Sequence, residues 1–216
     1  MRTIEKEEAP LSWRRHAQKS GAYKDYKELD EARNALLREQ GNLCCFCMQR
    51  INLRNMKIAH WDPQSSSKGR TMDWGNVMGA CLGGDRERHA VKHCDTAQGN
   101  KPIKVNPADR TQRCERLIQY GADGHIGSMD PAIHADLDET LNLNNEYLKR
   151  RRRAILDALR TRLEKCVPGG GHWPPEVFEQ ELKKWEQRDK QGMFREYCQV
   201  AIYWLEKQLR RRKRAT

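Results

Sequence analysis

Cys44-Cys45-Phe46-Cys47, then Ile58-Ala59-His60-Trp61-Asp62-Pro63, then Trp74-Gly75-Asn76-Val77-Met78-Gly79-Ala80-Cys81, then His93-Cys94-Asp95-Thr96-Ala97-Gln98: these four runs mark the part of the chain whose reading decides the fold. Cys44 and Cys47 form a C-x-x-C pair, a spacing that lets two thiolates from one tight turn reach the same tetrahedral ion. Cys81 and Cys94 can supply the other two ligands. The gap between them carries Gly83-Gly84-Asp85 and a charged stretch, an ordinary loop insertion if its ends converge. Cys45 rivals Cys44 but leaves only one residue before Cys47, a poorer fit, and His89 and His93 rival the fourth position. The plain alternative is a set of buried reduced thiols without metal. Against it stands the polarity of the region, which has few other means of folding. A structural zinc supplies on the order of 10 kcal/mol to such a module.

Outward from this segment the chain reads as helices. Upstream, Leu29, Ala32, Ala35, Leu36 and Leu37 recur at helical spacing over residues 26–40, and Gly41 stops the helix. Within the central segment two short strands are expected near residues 56–61 and 74–78, with a polar loop at residues 63–69 between them and a short helical stretch after Cys94. Downstream, Leu117-Ile118-Gln119-Tyr120 and His125-Ile126 flank Asp123-Gly124, a hairpin signal. A helix is expected from Asp138, with Leu141, Leu143, Leu148, Ile155, Leu156, Leu159 and Leu163 as core, broken by residues 168–171. Two closing helices carry Phe178, Leu182 and Trp185, then Tyr197, Ala201, Trp204, Leu205 and Gln208, with Gly192 between them. The expected fold class is α+β and mostly helical, a small zinc-stabilised module flanked by N-terminal and C-terminal helices. The expected division is 1–43, 44–110 and 111–216.

Composition narrows the function classes. Of the 216 residues only 37% are hydrophobic and 33% are charged, so the core is modest. No apolar run of ~18 residues exists to span a membrane, and the first residues lack the apolar stretch of a signal peptide, so a cytoplasmic location is expected. There the eight cysteines would not form structural disulfides. The net charge of +11 favours polyanion partners. Lys68 and Arg70 in the central loop and the block Arg150, Arg151, Arg152 and Arg153 are candidate nucleic-acid contacts. The block has a second reading as the wet side of a helix.

The order zinc pair, histidine, asparagine, cysteine, cysteine plus acid resembles the HNH endonucleases. The elements Cys-x-x-Cys, His-Trp-x-Pro-x-Ser, Trp-x-Asn, Cys-Asp-Thr-Ala and Asn106-Pro107 are similar to the PtuB-type HNH proteins, which accompany an ATPase in Septu anti-phage defence and in some retron systems. Tyr120, Asp123-Gly124 and residues 137–144 extend the similarity, which covers residues 4–160. The resemblance implies a ββα-metal module that hydrolyses phosphodiester bonds in DNA or RNA. His60 is then the general base, since a neutral imidazole can take the proton of a water near physiological pH. Asn76 orients it, often through a backbone carbonyl in that family. Asp95 is the ligand of a catalytic Mg²⁺ or Mn²⁺, for which a hard carboxylate is suited. Taken singly, His60 could pack beside Trp61, Asn76 could be a turn residue, and Asp95 could cap a helix.

Two departures stand out. HNH proteins usually carry an acid just before the histidine, where this chain has Ala59, so Asp62 is a candidate substitute ligand. The family tends to have Lys where Gln98 stands. The alternative expectation is therefore a catalytically decayed, zinc-stabilised nucleic-acid-binding or scaffold subunit. The resemblance also implies an ABC or SMC-like ATPase partner of the PtuA type and, in retron systems, a reverse transcriptase with its RNA–DNA product. The chain itself has no G-x-x-x-x-G-K-[ST] loop.

Overall fold

The computed structural model describes residues 1–19, 22–65, 68–85, 91–166 and 173–213, apart from the Lys68 side chain. The architecture is α+β, with helices predominating and two small antiparallel sheets among the described residues. Helix α1 (Leu11–Gln18) buries Trp13. Helix α2 (Leu29–Gln40) buries the stripe Ala32, Ala35, Leu36 and Leu37 and ends at Gly41, φ +56°, the left-handed geometry a β-carbon disfavours. Its last residue ties the helix to distant backbone. The buried Gln40 amide donates to the carbonyls of Leu43 (2.7 Å) and Gly79 (2.8 Å) and accepts from the Gly79 N–H (2.6 Å).

Strands β1 (Met56–His60) and β2 (Val77–Cys81) pair antiparallel, from Met56 opposite Cys81 to His60 opposite Val77. The first strand lies where hydropathy places it. The second starts later than expected, because Trp74–Asn76 forms a 3₁₀ turn whose N-cap Asp73 accepts from the Gly75 N–H (2.9 Å). Local side-chain capping competes with strand pairing there. A four-residue helix, α3 (Asp95–Gln98), comes after Cys94.

The rest of the chain wraps this unit. A helical turn, α4 (Cys114–Leu117), takes up Leu117, so the hairpin is shorter than expected: β3 (Gln119–Tyr120) pairs with β4 (Ile126–Gly127). The helix expected from Asp138 is instead α5 (Pro131–Ala135), capped by Asp130, running into a π-helical turn at Asp136–Thr140. Buried Leu141 and Leu143 lie in the connection to α6 (Glu146–Cys166). The break at residues 168–171 lies outside the described residues. Helices α7 (Pro175–Glu186) and α8 (Cys198–Lys213) close the fold, with Gly192 (φ +78°) between them as expected. Tyr197, expected on the last helix, precedes it at φ +52°.

One core joins Trp13 and Tyr26, the α2 stripe, Phe46, both central strands and the buried residues as far as Leu148. A second, around Phe178, Trp185 and Leu205, seals α6, α7 and α8 against Leu43 and Met48. Trp185 is thus core, and Trp204 packs on Trp173 and Phe178 while Tyr203 packs on Tyr120 (ring centroids 5.8 Å apart). No helix among the described residues is long and apolar enough to cross a membrane.

Candidate functional site

Four thiols converge. The ligand atoms of Cys44, Cys47, Cys81 and Cys94, all buried, lie within 4.8 Å of one another. The sulfurs of Cys44 and Cys94 are 3.9 Å apart and those of Cys47 and Cys81 3.8 Å apart. A tetrahedral ZnS₄ centre with ~2.3 Å bonds has edges of ~3.8 Å, so the cage fits zinc with little adjustment. Cys44 and Cys47 come from one turn, closed by Met48 N–H to the Cys44 carbonyl (3.0 Å) and Cys44 N–H to the Gln49 carbonyl (2.9 Å). Cys81 ends β2. Cys94 is brought in by a pinch at the base of the intervening loop, where the His93 N–H donates to the Gly83 carbonyl (3.1 Å). The Thr96 hydroxyl also donates to the Leu82 carbonyl (2.7 Å). Cys94 itself takes φ +56°, a backbone cost of about 1–3 kcal/mol that four-sulfur coordination would offset.

The rivals are separated by geometry. Cys45 stays outside the cage, its N–H on the Gly79 carbonyl (3.0 Å), and burial raises its thiol well above the ordinary range. His93 borders the cage: its Nδ1 lies 3.2 Å from the Cys94 sulfur, and its ring stacks on Tyr147. His89 lies outside the described residues. Burial opposes ionisation of Cys44, but hydrogen bonds from the neighbouring thiols outweigh it and hold Cys44 well below its usual range. Burial pushes Cys47 and Cys94 well above theirs. Metal binding would release the remaining protons.

Close by, at the end of β1, the His60 side chain is 6% exposed. Its Nε2 is 3.0 Å from the Thr71 carbonyl, which can only accept, so Nε2 carries the proton and Nδ1 holds the lone pair. Nδ1 accepts from the exposed Gln64 amide at 3.2 Å. The Tyr23 ring meets the imidazole edge-on, with centroids 4.7 Å apart. Burial holds the His60 pKa below its usual value, opposed by the Thr71 carbonyl and the charge of Asp95. Burial thus favours the neutral ring, the state a general base needs.

Asn76, fully buried, braces the loop beside His60. Its carbonyl accepts from the Asp62 N–H (2.8 Å), and its NH₂ donates to the carbonyls of Asp62 (3.1 Å) and Arg70 (3.2 Å). It thus ties Asp62 to Arg70, the residue before Thr71. Gln98 is a second brace, donating to the carbonyls of Trp61 and Lys101 (3.2 Å each).

The acids are engaged by cations. The Lys57 ammonium lies 2.8 Å from an Asp95 oxygen and donates to the Thr96 hydroxyl at 2.6 Å. Asp62 faces Arg70 at 3.5 Å, and Arg70 also bonds Asp73 at 2.9 Å. Ala59, 1% exposed, supplies no side-chain oxygen. Among the described residues the one group of three or more candidate ligand atoms is the cysteine cage. Asp95 and Asp62 are thus each paired with a cation and belong to no such group.

Of the expected nucleic-acid contacts, Arg152 is a correction. It is 1% exposed and donates to the carbonyls of Gly124 (2.5 Å) and Leu143 (2.6 Å). Helical period puts it four residues from both Leu148 and Leu156, on the buried stripe. Arg150, Arg151 and Arg153 are exposed on the other face, and Arg70 is partly exposed. The Lys68 side chain lies outside the described residues. Sequence reasoning missed Tyr23, Gln64, Thr71 and Lys57. Only Lys57 left a signal, a charge inside an otherwise apolar strand. Tyr23 is distant in sequence, and Thr71 acts through its backbone.

No protein-family model matches this chain, and no curated protein sequence matches it.

Proposed function

We propose that the chain is a nucleic-acid phosphodiesterase of the HNH type, in which the two strands, the short helix α3 and the cysteine cage form a ββα-metal-like module. One observation carries the reading: an imidazole at the end of β1 whose Nε2 faces a backbone carbonyl and whose Nδ1 has, among the described residues, an exposed side chain as its hydrogen-bond partner. A buried imidazole needs both ring nitrogens paired, and here the partner of Nδ1 is a surface side chain that can move away. In the proposed reaction a water oxygen forms a bond to phosphorus, its proton passes to Nδ1 of His60, and the phosphorus–oxygen bond to the leaving sugar breaks. The leaving oxygen takes a proton from solvent. Zinc in the cage would lock the strands and α3 together and takes no part in these steps.

The positive net charge supports a nucleic-acid substrate. The resemblance to PtuB-type proteins supports an ABC or SMC-like ATPase as partner, since the chain has no phosphate-binding loop of its own. The test is cleavage of labelled DNA and RNA by the zinc-loaded protein, alone and with an ABC or SMC-like ATPase added. His60→Ala is expected to lower cleavage by ~10²–10⁴-fold with zinc content unchanged. Cleavage equal to the wild type would reject the reading. The second reading, a decayed scaffold, is favoured by Ala59 and by the neutralised Asp95. It predicts salt-sensitive binding and no turnover.

A further inference from the structure

Outside the cysteine cage, two more imidazoles meet where the β3–β4 hairpin packs on the helical run that starts with α5. His125 stands just before β4 and His134 on α5, both partly buried, with ring centroids 5.8 Å apart and ring planes 33° apart. Both reach over Gly127 of β4. A β-carbon there would stand 2.9 Å from His134 Nδ1 and 3.7 Å from His125 Nε2. Gly127 does not take a left-handed backbone angle, so the approach of the two rings is what calls for glycine. The two nitrogens thus converge above one backbone position.

Both nitrogens are short of partners. The Asn144 carbonyl accepts from the Ile126 N–H (2.9 Å), which fixes the orientation of that amide. Its NH₂ nitrogen then faces three acceptors: an Asp138 oxygen at 2.8 Å, the Ile126 carbonyl at 3.0 Å and His125 Nε2 at 3.4 Å. An NH₂ group has two protons. The two shorter contacts take them, and the His125 lone pair is left without a full hydrogen bond. The His134 ring makes no hydrogen bond among the described residues, and its ring contact is with His125. Asp138 follows His134 by four residues and shares the Asn144 amide with His125. These three ligand atoms are set wider than the thiols, which all lie within 4.8 Å of one another, so the carboxylate joins the imidazoles by a side-chain rotation.

We propose that His125 and His134, closed by Asp138, form a second metal site that takes a divalent first-row transition ion. The site is independent of the zinc cage and of the phosphodiesterase reading. Imidazole nitrogens favour such ions over Mg²⁺ and Ca²⁺, which take oxygen donors. The ion accepts the two underused lone pairs, and the Asp138 carboxylate offsets part of its charge. Two imidazoles and one carboxylate leave coordination positions open to water or a further ligand, unlike the closed four-sulfur cage.

Two measurements on zinc-loaded, tag-free protein test this, with zinc content checked before and after. In the first, Ni²⁺ is titrated by calorimetry. The wild type is expected to take up one Ni²⁺ per chain beyond the caged zinc. His134→Ala, which removes a ring with no hydrogen bond to lose, is expected to weaken that uptake at least about 10-fold, with the thermal midpoint unchanged. His16→Ala, whose ring pairs with the Ala22 carbonyl on the surface, is expected to bind Ni²⁺ like the wild type. No uptake by the wild type, or equal affinity in His134→Ala, would overturn the proposal. In the second, imidazole resonances of the wild type are followed by NMR as Ni²⁺ is added, a readout independent of any variant. Those of His125 and His134 are expected to broaden first. Broadening confined to other histidines would equally refute the site.

Discussion

The His60 ring is held by two contacts of unequal permanence. The Thr71 carbonyl is part of a braced backbone, while the Gln64 amide sits at the surface and can leave. On the proposed reading, that difference would direct proton transfer to Nδ1. It also sets a pH dependence. Burial lowers the folded-state pKa below the ordinary value of ~6.5. Cleavage is therefore expected to be flat through neutral pH and to fall only below about pH 6.5, as the ring takes a proton. A pH–rate profile of the wild type measures this, and an acid limb above pH 7 would contradict it. Stability moves in the same direction. The unfolded chain binds the proton more readily than the folded one, so the contribution of this group is lost as pH falls through the interval below ~6.5. His60, Asn76 and Asp95 were legible as residues of interest from their order. Their partners were not, because a carbonyl acceptor or an ion pair across a strand leaves no mark on residue type.

At the level of elements, the cage depends on how the loop between Cys81 and Cys94 closes. Gly83 sits at φ +57°, and a β-carbon there would stand 2.1 Å from the His93 carbonyl oxygen and 3.1 Å from the Thr96 side chain. Gly83→Ala is expected to open the pinch and draw Cys94 away from Cys81. The measurable consequence is zinc affinity, expected to fall at least 10-fold in competition with a chromophoric chelator, about 1.4 kcal/mol or more. An unchanged affinity would show that the loop base does not position the thiols. The same elements show where pattern reading runs short. The α2 stripe and its Gly41 stop followed hydrophobic period directly. The start of β2 did not, because the Asp73 cap turned Trp74–Asn76 into a 3₁₀ turn. The helix expected at Asp138 failed because Pro131 and the Asp130 cap start a helix earlier, which the π-turn ends.

Across the whole molecule, the basic charge is sorted by burial. Arg150, Arg151 and Arg153 face solvent on α6, whereas Arg152 ties α6 to the β3–β4 turn and to Leu143. The two kinds should respond differently. Replacing the three exposed arginines by Ser should weaken oligonucleotide binding and reduce the salt slope by up to about 3 units, with thermal stability unchanged. Arg152→Ala should cost about 2–3 kcal/mol by orphaning two buried carbonyls, with the salt slope unchanged. Binding isotherms at several salt concentrations and thermal melts separate the outcomes. Loss of slope on changing Arg152 alone would reverse the assignment.

Cysteine spacing and hydrophobic period, both short-range properties of the chain, were enough to name the four thiols and the α+β class, and the order of motifs that resembles the HNH proteins singled out the histidine. Thiolate geometry admits few partners for a C-x-x-C turn, and apolar period reflects which face is buried. Only the tertiary structure decided that Cys45 and Arg152 are structural, that Tyr23 walls the histidine, and that Lys57 stands on Asp95. Each of those depends on residues far apart in sequence meeting across packed elements, and the identity of a residue carries no record of which distant group will face it.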